Sequence, residues 1–100
     1  MEKDTVARQL EALGNSTRLA IYEQLVKVRD GGIKVGEINK IIGIPASTLS
    51  HHLSKLINCG LVTQERIGRS LVCRADTEVM DSLFIYLANN CCSDDSEIWD

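Results

Sequence analysis

Residues 44–72, IPASTLSHHLSKLINCGLVTQERIGRSLV, constrain this chain more than any other segment. Pro45 forbids unbroken helix through it, because proline lacks an N–H and pushes the preceding residue toward extended backbone. Beyond it, Leu49, Leu53, Leu56 and Ile57 recur at helical spacing and fall on one face. Ser47, His51, Ser54, Lys55 and Asn58 fall on the other, with Thr48 and Ser50 at its edges. A face of small hydroxyls, an imidazole and a cation can enter a groove and exchange hydrogen bonds with base edges there. The chain then turns at Gly60, extends over residues 61–66, reverses at Ile67-Gly68-Arg69 and returns over residues 70–74. Arg66 and Arg69 flank the glycine of that reversal, an arrangement suited to a phosphate backbone. The expectation is a DNA-reading helix followed by a two-stranded hairpin.

The elements upstream fit the same plan. Residues 5–13 read as a helix with Thr5 as N-cap and Val6, Leu10 and Leu13 as its apolar stripe, ended by Gly14. Asn15 or Ser16 caps a second helix to about residue 27, with Leu19, Tyr22, Leu25 and Val26 facing inward. Arg29-Asp30-Gly31-Gly32 is a turn by composition. A short third helix covers residues 35–42, with Val35, Ile38, Ile41 and Ile42 buried, and Gly43 breaks it. Two helices joined by a short glycine-containing turn make a helix-turn-helix. After the hairpin, Asp76 or Thr77 caps a last helix to about residue 90. The predicted fold is therefore mainly α: a winged helix-turn-helix of five helices and a two-stranded β-hairpin wing. Residues 1–92 form the DNA-binding and dimerisation domain, and 93–100 an acidic, flexible tail.

One hundred residues give a modest core and no room for a spacious enzymatic cleft. No Ser/His/acid set, phosphate-binding glycine loop or zinc-hydrolase motif is present, so an enzyme is not expected. The charged start Met1-Glu2-Lys3-Asp4 lacks the apolar run of a signal peptide, and residues 83–88, the longest apolar run, are too short for a membrane span. A cytoplasmic location without membrane contact follows as the expectation, with the four cysteines as free thiols. A net charge of −3 looks unfavourable for DNA until it is divided along the chain. Residues 1–33 are neutral, and 76–100 hold seven acids and no base. Residues 34–75 carry Lys34, Lys40, Lys55, Arg66, Arg69 and Arg74 against only Glu37 and Glu65. Screening over roughly 8 Å lets that basic middle meet phosphate while the acidic end points away.

The last helix carries a wide apolar stripe, Met80, Phe84, Leu87 and Cys91, broadened by Val79 and Leu83. A small winged domain cannot cover the apolar faces of both terminal helices. A two-fold homodimer through Val6, Leu10, Leu13, Met80, Leu83, Phe84 and Leu87 solves this. It sets two recognition helices about 34 Å apart, which calls for an inverted-repeat operator in double-stranded DNA. The candidate DNA contacts are Ser47, Thr48, Ser50, His51, Ser54, Lys55, Arg66 and Arg69, whereas His52 falls on the inner face and is read as packing.

LEALGNSTRLAIYEQL at 10–25, ASTLSHHLSKL at 46–56, CGLVTQERIGRSLVCR at 59–74 and the ending NNCC at 89–92 together resemble the ArsR/SmtB family of bacterial metal-sensing repressors. The resemblance spans about residues 5–92. It implies a dimeric winged-helix repressor that leaves its operator when a metal or metalloid binds. A vicinal Cys-Cys at the last helix looks most like the arsenic-responsive branch. The third helix here has no cysteine and the last has no histidine, so the thiolate and His/carboxylate sites of other branches are missing and zinc is not expected. Trivalent arsenic, as arsenite or methylarsenite, is a soft centre that binds two or three thiolates, and antimonite is similar. Cys91 and Cys92 are the candidate ligands. Cys59 and Cys73 are read first as packing residues, with either one a candidate third thiolate. The alternative for the pair is a redox or persulfide switch on the same repressor.

Overall fold

The computed structural model describes residues 1–92, so the acidic tail expected at 93–100 lies outside the described residues. Helix α1 (Lys3–Leu13) begins before the expected Thr5 cap, with Glu2 as a cap residue that makes no side-chain bond. Its buried positions are Val6, Gln9 and Ala12 rather than Val6, Leu10 and Leu13. Gln9 is drawn inward because its amide nitrogen donates to the Cys59 carbonyl at 3.1 Å, which turns Leu10 toward solvent.

Helix α2 (Ser16–Val28) is capped by Asn15, whose side-chain oxygen accepts from the Thr17 and Arg18 amides, each at 3.0 Å. Its inner face is Arg18, Ile21, Tyr22 and Leu25. Leu19 and Val26, expected inside, are exposed, because Arg18 takes the inward position of the first turn and shifts the face by one residue. A 3-10 turn, Arg29–Gly31, leads into a feature the sequence pattern did not show, the two-residue strand β1 (Ile33–Lys34).

Helix α3 (Val35–Ile42) buries Ile38 and ends at Gly43 in the left-handed region, φ 74°. Ile41, expected inside, is exposed on its outer side. The turn Gly43-Ile44-Pro45 is fastened by the Asn39 side-chain amide, which donates to the Ile44 carbonyl. Helix α4 (Ala46–Asn58) follows, with Leu49, Leu53 and Leu56 buried as the spacing requires. It closes in a Schellman motif: Gly60 at φ 86° donates to the Ile57 carbonyl at 3.0 Å, and Leu61 donates to that of Leu56 at 3.1 Å. Leu56 and Leu61, the apolar pair this motif favours, are both fully buried.

Strands β2 (Val62–Ile67) and β3 (Ser70–Ala75) pair in register from Val62↔Ala75 to Ile67↔Ser70, leaving a two-residue loop. Gly68 holds the first loop position at φ 62°, where a hairpin turn of this length needs positive φ. β1 pairs antiparallel with the other edge of β3, Ile33↔Cys73 and Lys34↔Val72. The expected two-stranded wing is therefore a three-stranded sheet of order β1-β3-β2. A strand of two residues is too short to display a period of two, which is why it escaped the pattern. Helix α5 (Thr77–Cys91) is capped by Asp76, which accepts from the Val79 amide at 3.2 Å. The core joins Ile21, Tyr22 and Leu25 of α2 to Ile38, the inner leucines of α4, and Leu61, Val62 and Cys73 of the wing base. Among the described residues no helix is long and apolar enough to cross a membrane.

Gly32 is the most constrained glycine. At φ 71°, an added Cβ would stand 2.7 Å from Val72 Cγ1 and 2.8 Å from the Cys73 carbonyl oxygen. Gly32→Ala should lower unfolding free energy by about 2–4 kcal/mol, from left-handed strain and overpacking together. Gly31→Ala, whose Cβ meets nothing within 4 Å, should change it by less than about 0.5 kcal/mol. Urea titrations of both variants measure the difference.

Candidate nucleic-acid interface and thiol pair

The inner leucines of α4 fix its rotation, so its opposite side must face out. Ser47, Thr48, Ser50, His51 and Ser54 are all exposed there. Ser50 and Ser54 border a shallow depression completed by Gln64 and Leu71 of the wing. The hydroxyl face and the hairpin thus form one continuous surface.

The ion pairs sort the six cations of residues 34–75. Arg74 is held by Glu65 at 2.8 Å, and its Nε donates to the Asp30 carbonyl at 2.9 Å. Lys40 lies 3.5 Å from Glu37. Lys55, expected to face DNA, instead turns toward α1 and pairs with Glu11 at 3.0 Å. Its hydrogen bond and charge, with a smaller contribution from Arg18, hold the Glu11 carboxyl below its ordinary range. Lys34, Arg66 and Arg69 have no carboxylate within ion-pair distance among the described residues, and all three line one cleft between the start of α3 and the wing, together with Glu37, whose carboxylate is paired with Lys40. The helix N-terminus adds its own positive field there. Arg66 and Arg69 thus lie where the sequence placed them. Lys34 was not among the expected contacts, although its position inside the basic middle was a signal; its pairing onto β3 brings it beside the hairpin.

Arg18 is the second unpredicted residue. Its side chain is almost fully buried, with Nε donating to the Ala12 carbonyl at 2.7 Å and Nη2 to that of Glu11 at 3.4 Å. Nη1 lies 3.0 Å from Nδ1 of His52 on α4. His52 faces inward as expected, and besides packing it meets this guanidinium. Burial, then the charges of Arg18, His51 and Lys55, push its pKa below 6.5.

The four cysteines divide into two kinds. Cys59 and Cys73 are buried in the core. Cys59 Sγ donates to the Leu56 carbonyl at 3.4 Å, and Cys73 Sγ accepts from Gln64 Nε2 at 3.5 Å. Burial pushes the Cys73 thiol up, outweighing the Gln64 bond. Cys91 and Cys92 are exposed at the end of α5, where Cys92 turns extended at φ −109°, ψ 154°. Among the described residues no three His, Cys, Asp or Glu side chains of one chain converge as a metal-binding group. Neither candidate third thiolate is brought to Cys91-Cys92 within the single chain, because each is fixed in the core. The exposed pair offers two soft sulfurs free of helical restraint beyond Cys91, which fits a thiophilic centre with two thiolate ligands.

The residues expected at a subunit seam divide in the same way. Val6 and Leu83, 4% and 2% exposed, are filled core positions of the single chain and offer no free area. Leu10 and Phe84 are 42% and 53% exposed, joined on α5 by Ile85 at 58%. Leu13, Met80 and Leu87 are half-buried.

The five helices, the glycine turn and the braced hairpin define a winged helix-turn-helix, a class built to present one helix and one wing to a nucleic acid. Residues 15–64 match the bacterial regulatory protein, arsR family, and the chain belongs to that family of regulators, which are not enzymes. It is similar to the transcriptional regulator NmtR of Mycobacterium tuberculosis, 43% identical over 67 residues, which are 67% of this chain and 53% of that protein. It is also similar to a Halobacterium salinarum protein named for the repressor of an arsenical resistance operon, ArsR2, 31% identical over 71 residues, 68% of this chain and 59% of that one. The chain thus spans a little over half the length of these curated relatives. Among solved structures, the homodimeric winged helix-turn-helix DNA-binding domain of Mb0332 from Mycobacterium bovis superposes with a TM-score of 0.71 at 33% identity, covering 84% of this chain and 75% of that one.

Alkylation of the native protein under reducing conditions should modify Cys91 and Cys92 first, and Cys59 and Cys73 only after unfolding. Peptide mass spectrometry across a time course reads the order directly. Early labelling of Cys73 would contradict its place in the core.

Proposed function

We propose that the chain acts as a dimeric transcriptional repressor that binds an inverted-repeat operator and is released when trivalent arsenic, as arsenite or methylarsenite, binds Cys91 and Cys92. The observation that carries the DNA half is the sorting of charge: the cations Lys34, Arg66 and Arg69, without an ion-pair partner among the described residues, share one cleft beside the hydroxyl face of α4. Phosphates fit the cleft, and base edges fit Ser47, Thr48, Ser50, His51 and Ser54. Lys55 is assigned to Glu11 and contributes less. The homodimer is supported by the exposed apolar positions Leu10, Phe84 and Ile85 on the terminal helices, and by the homodimeric domain of Mb0332.

The inducer half is supported by the exposed vicinal thiols and by the arsenical resistance named for ArsR2. Two thiolates per chain match an arsenical that already carries one carbon substituent, which favours methylarsenite. Arsenite, or antimonite in its place, would take a third ligand from outside the chain. Binding at the end of α5, on the helix assigned to the seam, biases the spacing of the two recognition helices. A coupling of about 5- to 150-fold between inducer and operator is typical of such systems, and it acts equally in both directions.

Fluorescence anisotropy with an inverted-repeat duplex from upstream of its own gene tests both halves. Affinity should fall steeply with salt, and Arg66→Ala with Arg69→Ala should reduce the log–log slope by about 2 per protomer. Methylarsenite in reducing buffer should release the duplex, and Cys91→Ser or Cys92→Ser should abolish that release. Release that survives both serine variants would refute the site. Release by peroxide or polysulfide but not by arsenicals would instead favour a thiol redox switch.

A further inference from the structure

Helix α4 is tied to the two helices behind it by polar bonds as well as by its leucines. Gln9 of α1 donates to the Cys59 carbonyl at its end, and Glu11 of α1 pairs with Lys55. Arg18 of α2 reaches His52 in its middle. The third tie alone uses an imidazole.

A guanidinium has only donors, so the 3.0 Å contact from Arg18 Nη1 requires a lone pair on His52 Nδ1. The imidazole is therefore neutral, with its proton on Nε2. A second proton on Nδ1 would abolish the acceptor and set two cations against each other. The groups that act on His52 are Arg18 from α2, and His51 and Lys55 from α4, and each of them disfavours a charged imidazole. Glu11, the nearby acid from α1, faces Lys55 at 3.0 Å and Arg18 at 4.0 Å, and no carboxylate forms an ion pair with His52 among the described residues. Nothing there compensates a charged imidazole.

We propose that Arg18 and His52 are a positioning pair that sets the pose of α4 against DNA, and that protonation of His52 breaks it, so operator binding weakens as pH falls. This rests on the DNA-binding reading above. The sign is opposite to the usual one. A cation gained on a face that meets phosphate strengthens binding. His52 neither faces DNA nor gains a partner. Since burial and its neighbours lower its folded pKa, its contribution is complete above about pH 6.5 and is lost as pH falls through the folded value.

The test compares the full chain with its His52→Asn variant at constant ionic strength, so that every other pH effect is common to both. The variant supplies an amide oxygen that accepts from Arg18 without titrating, and it should keep the affinity of neutral pH. The ratio of the full chain's operator Kd to the variant's should rise as pH falls from about 7.5 to about 5.5, by up to about fivefold for a one-unit pKa difference between bound and free protein, because the full tenfold is reached only below both values. A ratio that does not change with pH, or a variant with the full chain's acid weakening, overturns the proposal. Long-range 1H–15N spectra of the free protein test the pair without DNA. The neutral Nε2–H form of His52 is expected, and an Nδ1–H form overturns the pairing even if the DNA reading stands. If no duplex binds at any pH while the Nε2–H form is observed, the DNA reading fails and the positioning role fails with it, whereas the Arg18–His52 pairing stands.

Discussion

The arrangement of the helices depends on one buried cation. Arg18 sits where the end of α1, the start of α2 and the middle of α4 come together, and each of its nitrogens faces a group from a neighbouring helix or junction. Two acceptors are the last carbonyls of α1, the end of a helix that a positive charge stabilises. Taking a guanidinium out of water costs several kcal/mol unless its donors are matched, and charge-assisted bonds of about 1.5–3 kcal/mol each offset that cost. Apolar packing alone would let α1 slide along α4. The directed bonds from Arg18, with Gln9 and Glu11 on the neighbouring turns, fix its register.

This geometry puts the α1 side of the proposed seam and the proposed DNA face on one mechanical unit. Helix α1 carries the exposed Leu10 toward the proposed seam and Gln9 and Glu11 toward α4. A change in how two subunits meet therefore reaches the DNA face through a few stiff polar contacts rather than through a soft apolar layer. Under the proposed function, the exposed cysteines at the end of α5 need no contact with DNA to act on it. They need only alter the seam, and coupling of that kind is a difference in free energy between two assemblies.

Much of this was legible in the sequence. The spacing of Leu49, Leu53 and Leu56, the break at Gly43-Pro45 and the Gly68 reversal are local signals, and each element they predict is present. What escaped was non-local or polar. Arg18 and Gln9 occupy inward positions that a hydrophobicity pattern assigns to Leu19 and Leu10, because pattern reading cannot see a bonding partner many residues away. Lys55 pairs with Glu11, 44 residues earlier, a contact that no local pattern shows. Lys34 required strand β1, which has no periodic signature. Of the thiols, the buried pair and the exposed pair differ by where their elements pack, and spacing along the chain carries no such information.

Strand β1 changes what kind of object the wing is. An isolated two-stranded hairpin is marginally stable in water and bends freely. Here β3 is the central strand, bonded to β2 on one side and to Ile33 and Lys34 on the other, and Lys34 leads directly into α3. The hairpin base is consequently joined to the same backbone that carries the helix-turn-helix. It behaves as a caliper with one jaw on α3 and the other on β3, and Lys34 and Val72 at its hinge are held one strand spacing, about 4.8 Å, apart. The ordering entropy of that opening is lost once, during folding, and is not charged again to each encounter with a phosphate.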